Sequence, residues 1–186
     1  VDVANATRIS GVGANGFPSA FIAETYGSGY AGSIELDTGS LMLSDGAASS
    51  SNTFSDTAGA GSGGNIRIVA REEVRVAGVN EQWDRVSGIF SDSNGPGAAG
   101  IITVEGRRVE LADGGAISST AFGGAAAGGW GSIAVTASES LRILGTHQSD
   151  NGNLDRSGIF TNTEGEAFAG DIVIETPRLE VHDGGL

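Results

Sequence analysis

The chain has 186 residues, 32 of them Gly and only 3 Pro, with no Cys and 6% aromatic residues. The missing cysteines exclude a disulfide framework, and glycine without a G-X-Y period excludes collagen. A formal net charge of −13 with ten basic residues, all Arg, repels phosphate backbones, so nucleic acid is not a partner class; no apolar run approaches the roughly 18 residues a membrane span needs.

In chain order, the first recognisable element is Thr7-Arg8-Ile9, followed by a polar insertion from Val12 to Pro18. Next comes Gly32-Ser33-Ile34-Glu35-Leu36, then the aliphatic pair Leu41/Leu43, an Asp45-Gly46 turn and a weaker strand at Ala47–Ser50. Gly64-Asn65-Ile66-Arg67-Ile68 and Val74/Val76 repeat the pattern, but there a loop from Val79 to Val86 precedes Ser87-Gly88-Ile89-Phe90. Gly100-Ile101-Ile102-Thr103-Val104 and Val109/Leu111 lead to Asp113-Gly114-Gly115. Gly131-Ser132-Ile133-Ala134-Val135 and Leu141/Ile143 lead to a loop from Thr146 to Arg156 and then Ser157-Gly158-Ile159-Phe160. Gly170-Asp171-Ile172-Val173-Ile174, Leu179/Val181 and Asp183-Gly184-Gly185 close the series.

Apolar residues at i and i+2 mark strands with one buried face, and no helical i, i+3, i+4 spacing persists across the repeat. The repeat starts lie 32, 36, 31 and 39 residues apart, so coils alternate short and long. Arg8, Arg75 and Arg142 recur 67 residues apart, which makes a pair of coils the true repeating unit. Units too small to bury their own apolar face must stack on one another. The predicted fold is therefore all-β: a parallel β-solenoid, a right-handed β-helix, with three short strands per coil separated by turns and alternating short and long coils. One unit is expected over 1–186, with coil starts near 32, 64, 100, 131 and 170 and partial coils at 1–31 and 170–186. Neither end carries the polar cap that a stacked array needs, so the chain is expected to be a segment of a longer protein.

The string Ala-Gly-(Ser/Asp)-Ile-x-(Leu/Ile), followed by Leu-x-Leu-x-Asp-Gly-Ala-x-Ser-Ser and a Gly/Ala-rich return, resembles filamentous-haemagglutinin-type exoproteins of two-partner secretion systems. It is especially similar to the very long cyanobacterial members. The resemblance covers essentially the whole chain and implies a secreted, extracellular or outer-surface location. It also implies a structural or adhesive shaft, whose partners would be further copies of itself or the glycans and proteins of cell surfaces and matrix.

Three constellations carry possible chemistry. Between the second-strand aliphatics, successive repeats place Arg8, Met42, Arg75, Glu110, Arg142 and Glu180. Stacked about 4.8 Å apart, Arg75, Glu110, Arg142 and Glu180 form a ladder of alternating sign. Such a ladder either fixes coil register or offers a stripe to a charged sugar. The long-coil loops hold Glu81, Trp83, Asp84 and Arg85 in one case and His147, Asp150, Asp155 and Arg156 in another, a set suited to sugar or protein contact. Trp83 could equally fold down as a lid on the flank. The stretch Asp150–Asp155 fails the calcium-loop spacing because Leu154 stands where oxygen is needed, so a polar turn is expected, and no metal or cofactor. Parallel β-helices include polysaccharide lyases, and a carbohydrate-binding or polysaccharide-active module at the loop corner is the alternative reading. No triad, phosphate loop or zinc spacing is present, so no catalytic residues are assigned.

Overall fold

The computed structural model describes residues 1–55, 61–122, 131–150, 152–164 and 169–186. The Gly/Ala-rich return at 123–130 and Asn151 of the Asp150–Asp155 stretch lie outside them. Among the described residues the chain is all-β without a helix, and its two large sheets are parallel throughout. Among the described residues no helix is long and apolar enough to cross a membrane.

The larger sheet has seven strands, and its order follows the repeat. Asp2–Ser10 pairs with Ile34–Ser44, which pairs with Ile66–Ala77, then Ile102–Ala112, then Ile133–Leu144. The last of these carries both Ile172–Glu175 and Leu179–His182 on its far edge. Register sets like on like: Ile34, Ile66, Ile102, Ile133 and Ile172 stand opposite one another, as do Leu36, Ile68, Val104, Val135 and Ile174. The aliphatic pairs from Leu41/Leu43 to Leu179/Val181 do the same. The middle members are sealed, Ile66, Ile102 and Ile133 being at most 1% exposed, whereas Ile172 in the last layer is 42% exposed because only one neighbour covers it.

The five-stranded sheet runs Ala20–Ile22, Ala48–Ser50, Gly88–Phe90, Ala116–Ala121 and Gly158–Thr163, all parallel. Its inward residues Ile89, Ile117 and Ile159, with Phe21, join the aliphatic columns of the large sheet in one core. Each buried aliphatic there contributes on the order of 1.5–3 kcal/mol.

One expectation is corrected. Three short strands per coil become one long strand of 11 or 12 residues and one short one. The turn foreseen between the two aliphatic pairs is instead a local shift in register, between Thr38 and Ser40, Val69 and Glu73, or Ala137 and Ser140. The chain bends there, but the bends stack, so ladder hydrogen bonding resumes at once. Only the last layer divides into Ile172–Glu175 and Leu179–His182. Pro177 stands in that gap, and it has no N–H to give a neighbouring strand.

The polar interior is satisfied by a second regularity. The Ser51, Ser91 and Ser119 hydroxyls donate to the carbonyls of Gly32, Gly64 and Gly100 at 2.5, 2.6 and 2.7 Å. Each such bond ties the short-strand sheet to the glycine that opens a long strand. The exception is Ser49, whose hydroxyl is buried without a partner among the described residues.

Candidate functional site

All three polar insertions leave the same corner and fold as antiparallel hairpins. Val12 bridges Pro18; Val79–Asn80 pairs with Arg85–Val86; Thr146–Gln148 pairs with Leu154–Arg156. Between them lie the short-layer turns. In Asp45-Gly46 and Asp113-Gly114 both residues have positive φ, 56° and 50° at the aspartates and 85° at each glycine. Each turn closes with a hydrogen bond, Ala47 N–H to Ser44 O at 3.1 Å and Gly115 N–H to Ala112 O at 2.8 Å. Asp tolerates this left-handed region better than most residues, and Gly adopts it freely.

Gly46 and Gly114 are needed for a second reason. A Cβ on Gly46 would come within 2.8 Å of Val12 and Asn80, one from each flanking hairpin. On Gly114 it would come within 2.7 Å of Val79 and 3.2 Å of His147. The bare glycine thus lets hairpins two layers apart meet over the top of the turn. Each glycine N–H donates to the serine that follows the next hairpin, Gly46 to Ser87 Oγ at 3.0 Å and Gly114 to Ser157 Oγ at 3.1 Å.

The loop residues singled out from sequence mostly face a neighbouring hairpin. Trp83 is 39% exposed and lays its ring against Gly16 of the preceding hairpin, so it is an inter-hairpin contact that keeps one exposed surface. Glu81 pairs with His147 and accepts the Asp150 N–H at 3.2 Å. Asp84 accepts from Asn153 Nδ2 at 2.7 Å and lies 3.1 Å from the Ser149 hydroxyl, which is equally close to Asp155. Arg85 and Arg156 stand apart from this network: both are exposed, and neither guanidinium has a partner among the described residues.

On the large sheet, Arg75, Glu110, Arg142 and Glu180 occupy directly opposed positions on four successive layers. Glu110 sits between two arginines, paired with Arg75 and, at 2.7 Å, with Arg142. Arg142 also reaches Glu180 at 3.1 Å. Glu180 additionally takes Arg178, and these arginines hold its carboxyl below the usual range. A second ion-pair cluster missed from sequence gathers where the strands shift register: Arg107 pairs with Glu72 and Glu139, and Arg108 with Glu73 and Glu139. Its charges come from Glu72-Glu73, Arg107-Arg108 and Glu139, whose like spacing within each repeat was the available signal.

The outward face of the five-stranded sheet was also missed. Ile22, Ser50, Phe90, Ser118 and Phe160 stand in register there, apolar in every second layer. Ala20, Ala48, Gly88, Ala116 and Gly158 form a column of small residues beside them. Phe54 stacks on Tyr26 with ring centroids 5.0 Å apart, and the hairpin side of the groove carries Arg85, Val86, Leu154 and Arg156. The signal was the repeated Ser-Gly-Ile-Phe, which alternation turns Phe-outward when Ile points in.

No similarity places the chain in a known group. No family model matches it, and neither a curated protein nor a solved structure is significantly similar to it.

Proposed function

We propose that this chain is a β-solenoid, a right-handed β-helix, serving as a shaft segment of a large secreted surface protein of the filamentous-haemagglutinin type, in adhesion or extracellular fibre formation. The observation that carries the reading is the like-on-like register that runs, with one local shift in each pairing of the long strands, from Asp2–Ser10 to Leu179–His182. Strands so paired stack along one direction, and each layer needs only its neighbours, so length is added without redesign. Right-handed connection of parallel strands is the near-universal rule. The ladder ion pairs and the hairpin contacts run between layers, while the serine struts brace the two sheets within a layer, as rigidity of a rod requires. The partners proposed are further copies of the chain, or glycans and proteins of cell surfaces and matrix.

Two measurements test this. Two copies fused in tandem so that Leu179–His182 is followed by Asp2–Ser10 should lengthen the particle in small-angle scattering by about 29 Å, six layers at about 4.8 Å each, without widening it. A compact, wider particle refutes the shaft. Antibody against the chain should label intact source cells, and labelling that requires permeabilisation refutes the surface location.

A further inference from the structure

The groove on the five-stranded sheet combines two features in the same two-layer rhythm. The first is aromatic. A Cβ on Gly88 would run into the ring of Phe90, and one on Gly158 into the ring of Phe160. Each ring therefore covers a glycine and leaves its other face to solvent. With Ile22 in register, these apolar platforms recur every second strand, about 9.6 Å apart. That interval is close to the length of an extended disaccharide.

The second feature is charge. Seven of the ten arginines are ion-paired on the large sheet. Arg85 and Arg156 are not, and both border the groove, one beside Phe90 and one beside Phe160. In a chain of net charge −13, these two guanidinium groups, without a partner among the described residues, are the points at which a groove that also holds the Glu24, Asp84 and Asp155 carboxylates can take an anion. The guanidinium fork matches a carboxylate in two parallel hydrogen bonds.

We propose that this groove binds an extended polysaccharide carrying sparse carboxylates, a uronate-bearing chain lying across the strands. One aromatic ring stacks on a sugar and one arginine takes a carboxylate for each pair of layers. The charge must be sparse, because Glu24, Asp84 and Asp155 also line the groove and repel a densely sulfated polymer. Glu24, held by the Ser50 hydroxyl at 2.7 Å, is placed to accept sugar hydroxyls. The inference goes beyond the shaft reading: scattering tests that reading, sugar binding tests this one, and either can fail alone.

The test uses the whole chain with polygalacturonate and its defined oligomers, in affinity electrophoresis and calorimetry. Binding should strengthen at least about tenfold from dimer to tetramer, as a second arginine and ring engage. Arg85→Gln with Arg156→Gln should weaken tetramer binding by about tenfold or more with unchanged melting temperature, since neither side chain has a partner to lose. Phe160→Leu should remove the chain-length gain. Absence of retardation by polygalacturonate overturns the proposal. So does equal retardation by polyglutamate, equal affinity for a neutral cello-oligosaccharide, or full binding by the arginine double variant.

Discussion

Glu110→Arg is the sharpest perturbation available, because Glu110 is the best-buried member of its ladder, with a side chain 12% exposed against 32% for Arg75 and 45% for Arg142. The variant loses two pairs, each worth about 0.2–1 kcal/mol. Three arginines then face one another across adjacent strands. Two like charges about 4.8 Å apart repel by about 3 kcal/mol at an effective dielectric near 20. Because both wild-type arginines are partly in solvent and can splay, screening reduces this to about 1 kcal/mol per contact. The total is a loss of about 2.5–4 kcal/mol, or about 5–16 °C in a chain of this size. Urea unfolding followed by circular dichroism at low salt measures it. Repeating the measurement in 1 M salt, where the screening length is about 3 Å, should recover most of the repulsive part. Glu110→Gln isolates the lost attraction and should cost less. Adding Arg75→Glu and Arg142→Glu to the Glu110→Arg background should recover stability only in part, because the second of these sets a carboxylate against Glu180. An unchanged midpoint for Glu110→Arg at low salt refutes the ladder as a source of stability.

Gly114→Ala should cost about 1–2 kcal/mol for its left-handed backbone, plus the clash with Val79; Gly145→Ala, at φ 74° with only Asp113 Oδ1 at 3.9 Å, should cost less. Thermal melts of the pair check the role of hairpin contact over the turn. Ser49→Ala removes an unpartnered buried hydroxyl and should raise stability by about 1 kcal/mol in urea titration. Asp92 is pushed up to about 6, chiefly by burial, against the Thr120 N–H and Ser118 hydroxyl that favour its charged form. The folded state thus holds a proton that the unfolded state releases between pH 3.8 and about 6, so stability should rise as pH falls through that window. The gain is at most about 3 kcal/mol. Asp92→Asn, which can accept the same two hydrogen bonds, should flatten that slope in urea titrations from about pH 7 to 4. Ile102→Ala, at a fully buried position, should cost about 2–5 kcal/mol by the same measure.

The columns of the core were legible because every layer solves the same packing problem, and five copies of Gly-x-aliphatic-x-aliphatic fix both the face and the register. The continuity of the long strands was not. Asp37-Thr38-Gly39-Ser40 reads as a turn in isolation; only its neighbours, bending at the same place, keep it in the ladder. The hairpins were legible as insertions between like elements, and Trp83 as their largest exposed group. Their mutual contacts were hidden, since Glu81 meets His147 and Asp84 meets Asn153 across 66 and 69 residues of chain. No local pattern encodes a contact that depends on a bare glycine two layers away. The sheet groove escaped notice because its Phe residues read as strand formers until the register placed Ile89 and Ile159 inward.

The direction of the backbone hydrogen bonds in the large sheet has a mechanical consequence. These bonds run from layer to layer, so a pull along the stacking direction opens them in sequence, as a zipper parts, and never loads a whole strand in shear. Resistance then resides in whatever staples one layer to the next but one. The Arg107–Glu72 and Arg107–Glu139 pairs together straddle three layers, and the His147–Glu81 contact joins hairpins two layers apart. A molecule built this way yields stepwise under tension, each detached layer releasing some 30 to 40 residues of slack. The layers still folded keep their neighbours, and re-docking of the loosened turn needs no distant partner. Such a stack of strands lengthens under load by single layers and then rewinds.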